Sequence, residues 1–140
     1  MTAFDKDRCS WAEEQAHLIR AGRADEIDLF TIAEALEEMT RSDRRELRSR
    51  LTVLLLHLLK WRHQPSRRTP SWTRTIRTQR REIASLLEES PSLQRHLATL
   101  YPKAYEDARA DAAEETDLPV ATFPAEPLPY DEAMTAMLTS

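Results

Sequence analysis

Glycine is almost missing from this chain: Gly22 is the only one in 140 residues, where about 7% is usual. Glycine-fingerprint nucleotide sites, P-loops and hairpin-rich β folds are thereby excluded, because each needs backbone at positive φ or in very close approach. Cysteine is reduced to Cys9, which excludes an internal disulfide and a cysteine-cluster zinc site and fits a reducing compartment. No proline precedes Pro65, so the first 64 residues hold nothing of that kind to break a helix. Apolar runs are short. The longest, Val53 to Leu56, falls far below the roughly 20 residues a bilayer span needs. The opening MTAFDKDRCS has no apolar stretch of the kind a secretory signal carries, so a cytoplasmic location is expected. At this length one domain, 1–140, is expected, with a core large enough to do without metal or disulfide.

Charge is plentiful but unevenly placed. The net charge of -4 conceals an acidic block over residues 1–40 (4 basic, 10 acidic), a basic block over 41–81 (13 basic, 2 acidic) and a second acidic block over 82–140 (3 basic, 12 acidic). Twelve of the thirteen cations in the middle block are arginines. The planar guanidinium fork suits carboxylates and phosphates equally. Acid of the same chain and an external polyanion both remain open as its counterpart.

Hydrophobic spacing predicts helices throughout. The first covers about Asp7 to Ala21, with Trp11, Leu18 and Ile19 as apolar contacts and Gly22 as its left-handed stop. A second runs from the cap Asp28 to about Met39, its apolar positions being Leu29, Ile32, Ala33, Leu36 and Met39. The third, about Ser42 to His63, carries Leu47, Leu51, Leu54, Leu58 and Trp61 in steps of four and three. That stripe faces a partner helix. The fourth, capped by Ser71 and running to about Glu89, repeats the steps with Trp72, Ile76, Gln79, Ile83 and Leu86. An antiparallel pair follows. Ser90-Pro91 opens another helix towards Thr116, with a break expected at Pro102. The four prolines between Pro119 and Pro129 enforce an extended strap, after which Asp131 to Leu138 reads as a short last helix. The fold class is thus all-α: an irregular helical bundle on two long antiparallel helices, with a proline-rich C-terminal strap at 118–140.

The run HLLKWRHQPSRRTPSWTRTIRTQRREIASLLEESPSL, His57 to Leu93, resembles the central signature of a bacterial family known as domain of unknown function 29. WAEEQAHLIRAGRADEIDL and SDRRELRSRLTVLL before it, and FPAEPLPY after it, resemble the flanking segments of the same family. The resemblance implies an all-helical domain and brings no activity with it. The sequence departs from the family pattern at Thr31, Ala35, Thr40 and Leu128, which weakens any site that depends on an Asn, an acid or a thiol there.

Lys60, Gln64, Arg67, Arg68, Ser71, Gln79 and Arg80 gather around the turn between the two long helices, and Arg74, Arg77 and Arg81 share one face of the second. They form a partner- or phosphate-binding surface on one reading, with Trp61 or Trp72 stacking on a base if the ligand is a nucleic acid. On the other reading they cap helix ends and pair with the chain's own acids, Glu34, Glu37, Glu38, Glu114 and Glu115 among them. His57, set among leucines, is either a proton-transfer residue tuned by burial or a neutral core histidine. Glu14 and His17 have the i, i+3 spacing of carboxylate-bundle metal ligands, but the pair occurs once where such a site needs two. No metal and no cofactor is therefore expected, and no catalytic set can be named. The reading that follows is a non-enzymatic interaction module holding a protein partner through the 60–81 turn and arginine face. Nucleic-acid binding through residues 41–81 is the alternative, and metal or histidine chemistry the outsider; no membrane partner is expected, and a homo-oligomer is compatible.

Overall fold

The computed structural model describes residues 3–138. They form two compact units that divide between Arg41 and Ser42. The described residues contain no strand, and none of their helices is long and apolar enough to cross a membrane.

In the first unit, α1 (Ala3–Lys6) leads into α2 (Arg8–Arg20). Asp7 caps α2 by accepting a hydrogen bond from the Ser10 N–H at 3.0 Å. Gly22 stops the helix at φ 72°, its N–H on the Ile19 carbonyl and that of Arg23 on Leu18. Trp11 and Leu18 are buried as expected, and the Phe4 ring meets Trp11 edge-on. Ile19, expected beside them, is instead 52% exposed: it follows Leu18 by one residue, and a step of 100° carries it off the buried stripe. Buried Gln15 accepts from the Asp28 N–H, and the Asp28 carboxylate accepts from Thr31 N–H at 3.1 Å, capping α3 (Leu29–His63). Those bonds from Thr31 hold the Asp28 carboxyl below its ordinary range.

The helix α3 is a single element where the sequence led us to expect two, with a gap after Met39. The expected boundary falls between Met39 and Ser42, yet the Thr40 hydroxyl donates to the Glu37 carbonyl, and Arg41 pairs with Glu38 at 3.0 Å one turn back. Local polar groups thus satisfy one another within the helix, and no Gly or Pro is present to interrupt it.

The second unit is built on three rods. Leu47, Leu51, Leu54 and Leu58 of α3 are buried against Ile76, Ile83, Leu86 and Leu87 of α4 (Pro70–Glu89) and against Tyr101, Ala104, Tyr105, Ala108 and Ala112 of α5 (Leu97–Thr116). Each fully buried leucine contributes about 1.5–3 kcal/mol of transfer free energy. Arg50 bonds Gln79 while Lys60 lies over Trp72, so α4 runs antiparallel to α3. Arg48 bonds Asp107 while Lys60 meets Glu115, so α5 runs in the same sense as α3. Two local expectations are corrected. Thr69, not Ser71, caps α4 by accepting from the Trp72 N–H, because Pro70 takes the first helical position. The Ser90-Pro91 signal opens a 3-10 turn, Pro91–His96, and α5 then passes through Pro102 without breaking. The carbonyl that Pro102 leaves without a helical donor belongs to Ala98, an exposed residue near the start of α5, where water can serve it.

The strap follows α5 through Asp117, which stands in the left-handed region at φ 58°. A 3-10 turn at Val120–Thr122 precedes Phe123, which is fully buried with the His63 ring edge-on at 5.0 Å. The last helix, α6, spans Tyr130–Thr135 rather than Asp131 to Leu138. The strap's carbonyls need donors that its prolines, without an N–H, do not supply, and the rods supply them. Tyr101 donates to Leu128, Tyr105 to Pro124 and Arg109 to Phe123, three side chains spaced four residues apart along α5. From α4, Arg80 donates to the carbonyls of Ala133 and Ala136, both at 2.9 Å.

Candidate functional site

The basic block divides into cations that the chain uses itself and cations that it does not. Arg48 donates through two nitrogens to Asp107, each at 2.9 Å, and that carboxylate raises its pKa further. Arg50 reaches Glu46 and Gln79, and Arg62 meets Glu132 at 3.0 Å. Lys60 is buried, its ammonium 3.3 Å from Glu115 and 4.9 Å from the centre of the Trp72 ring. Arg48, Arg50, Arg62 and Lys60 thus each tie α3 to another element of the second unit.

The turn between α3 and α4 is built differently. The last carbonyls of α3 lack helical donors. Gln64 N–H serves Lys60, and Arg68 Nε serves Trp61 at 2.8 Å while its guanidinium lies over the Trp61 ring at 4.5 Å. With Arg68 fixed in this way, Trp61, Arg68, Thr69, Pro70, Thr73, Arg74 and Arg77 line a groove of about 490 Å³ that contains no carboxylate. Arg74 and Arg77 lie on the side of α4 away from Ile76 and Ile83, and both are exposed, as is Arg67 in the preceding turn. None of these three has an acid or hydrogen-bond acceptor for its guanidinium among the described residues. Arg81 continues the same face but stands 3.9 Å from Glu82 and outside the groove. A second groove of about 680 Å³, between α3 and α5, has acid and base together: Arg48, Asp107 and Asp111 line it.

Of the residues singled out from sequence, Arg68, Arg74 and Arg77 line one groove and Arg67 lies exposed in the turn before it, while Lys60 is committed elsewhere. Gln64 starts the 3-10 turn Pro65–Arg67. Gln79 accepts from Arg50, and Arg80 holds α6. Trp61 and Trp72 each have one of the chain's own cations over the ring. His57 donates from Nδ1 to the Val53 carbonyl at 2.8 Å; burial foremost, then the Lys60 charge, lowers its pKa against that bond. Glu14 and His17 are exposed on α2, and the described residues contain no group of three His, Cys, Asp or Glu able to hold a metal. Sequence reasoning missed Tyr101, Tyr105 and Arg109. Their spacing of four beside a donor-poor strap was the available signal.

The architecture defines an all-helical domain with a tied-down proline-rich strap and a carboxylate-free arginine groove. Residues 3–137 match the family described as domain of unknown function DUF29, and the chain belongs to that family. No curated protein and no solved structure matches it.

Proposed function

We propose that this chain is a non-enzymatic interaction domain that holds an acidic segment of a protein partner in the groove beside the α3–α4 turn. One observation carries the reading: Arg67, Arg74 and Arg77 are exposed without counterparts among the described residues, next to a groove with no carboxylate, in a unit whose neighbouring cations are paired. An arginine fork left in water matches carboxylates or phosphorylated side chains arriving from outside. A protein partner is preferred to a nucleic acid because one face of each indole that a base would use is covered by Arg68 or Lys60.

The test is a titration of the chain with a fluorescent polyglutamate peptide and, separately, with a single-stranded oligonucleotide. Peptide binding that Arg74→Glu with Arg77→Glu abolishes supports the reading. Oligonucleotide binding with a steep salt dependence and no peptide binding replaces it with the nucleic-acid alternative. Binding of neither overturns both.

A further inference from the structure

The strap is attached to the second unit like a ligand. Beyond the hinge, polar ties run from rod side chains to the strap or α6: Tyr101, Tyr105 and Arg109 to three strap carbonyls, Arg80 to two carbonyls around α6, and Arg62 to Glu132. Phe123 is its one fully buried aromatic anchor. All of these groups lie beyond a single connecting residue, Asp117, which adopts φ 58° although it carries a Cβ. Leu118 N–H is served by the Thr116 hydroxyl at 3.3 Å, a bond local to the hinge. Under the strap, a cavity of about 130 Å³ lies among Leu55, Leu58, Leu59, Pro124, Pro127 and Leu128.

From these observations we propose that the seat formed for the strap by Tyr101, Tyr105 and Arg109 of α5 and Arg80 of α4 also accepts the strap of a second copy of this chain, so that two molecules exchange residues 118–138 about Asp117 and form a closed symmetric dimer. The occupant is fixed by the structure itself, because the strap of another copy presents the same carbonyls, the same Phe123 and the same Glu132 to the same partners. Exchange therefore regains every tie that opening breaks. Opening also lets Asp117 leave the left-handed region, so the strained residue favours the exchanged form and the shorter chain closure favours the monomer. Concentration sets the balance. This inference does not depend on the arginine groove.

The experiment is light scattering on the full-length chain over a range of concentrations, with helicity checked by circular dichroism. Wild type is expected to rise from its chain mass of 16.2 kDa towards twice that value as concentration increases. Asp117→Gly, which accepts positive φ freely, shifts the population to monomer, and Asp117→Pro, which cannot adopt it, shifts the population to dimer. Should the proline variant not fold, charge reversal decides. Arg62→Glu and Glu132→Arg are made in separate chains, each of which then places like charges against each other. When the two are mixed, opposite charges meet only if each core receives the other chain's strap, so a heterodimer in excess of either homodimer is expected. A chain mass independent of concentration in wild type and in both Asp117 variants overturns the proposal. So does a dimer in which the charge-reversed chains show no preference for each other.

Discussion

The phenol of Tyr105 donates to the carbonyl of Pro124 across 2.6 Å, and one turn earlier Tyr101 does the same to Leu128 at 2.5 Å. Two tyrosines on one face of α5 thus read the backbone of a segment whose prolines deprive it of donors. Replacing either tyrosine by phenylalanine removes one hydrogen bond and leaves the ring in place. Each change is expected to cost about 1 kcal/mol, more where the carbonyl is left without water. Urea midpoints at unchanged slope measure it, and faster amide exchange confined to residues 118–138 locates it. Equal stability and exchange in both variants would show that the two phenol hydroxyls do not hold the strap.

Alkali should release the same segment. Burial foremost raises the pKa of Tyr101, Tyr105 and Tyr130 above the ordinary phenol value of 10.0. The folded chain therefore keeps protons that the unfolded chain gives up, and stability falls as pH rises beyond 10.0. Below that value the contribution is fully present. Melting temperatures at about pH 9 and about pH 11 are expected to differ more in wild type than in the chain with Tyr101→Phe and Tyr105→Phe. A fall of the same size in both would assign the alkaline loss to other groups.

Acid acts through the histidines in the opposite sense. His57 and His63 are both held below the ordinary imidazole value of 6.5, chiefly by burial, with Lys60 adding to the effect at His57 and Arg62 at His63. The unfolded chain then binds protons that the folded chain refuses, so stability is complete above 6.5 and declines as pH falls below it, levelling off under the folded-state values. Urea midpoints at about pH 7.5 and about pH 5.5 should show the decline, and His57→Gln with His63→Gln should reduce it. An unchanged slope in the double variant would clear both histidines of the effect.

The rods were legible in the sequence because a buried stripe imposes its period. Leu47, Leu51, Leu54 and Leu58, with Ile76 and Ile83 opposite, sit where their steps of four and three put them. Local polar signals were less decisive. Thr40 and Ser42 look like a helix boundary, but a hydroxyl that bonds its own helix leaves no trace in sequence spacing. The fate of the arginines was not legible at all. Arg62 and Arg77 are alike as residues, and only the fold brings Glu132 to one and leaves the groove open beside the other. The strap was expected from its prolines, whereas its holders on α5 are ordinary helix residues until the chain has folded back over them.

Lys60 is the most committed cation of the basic block. It is 9% exposed, over Trp72 and 3.3 Å from Glu115, whose own side chain is 48% exposed. Removing the charge from such a pair leaves the acid in water rather than stranded. Lys60→Met, which keeps the aliphatic stem, is therefore expected to change stability by less than about 1.5 kcal/mol. Lys60→Glu places a second acid beside Glu115 in a desolvated position and is expected to cost several times more. Chemical unfolding of the two variants, with tryptophan emission reporting on Trp72, separates them. If methionine proved as damaging as glutamate, the ion pair itself would be holding α3 to α5.

A last pair of substitutions separates core from surface on one helix. Leu54 is completely buried among α4 and α5 residues, whereas Leu36 in the first unit is 58% exposed. Leu54→Ala opens a cavity that the surrounding rods cannot fill and should cost about 2–5 kcal/mol, a large fraction of the stability of a domain of this size. Leu36→Ala removes a side chain already mostly in water and, with alanine the better helix former, should stay within about 0.5 kcal/mol of wild type. Thermal unfolding followed by circular dichroism measures both. A large loss at Leu36 would mean that another surface covers that stretch of α3 in solution, and light scattering on the same samples would show whether a second copy provides it.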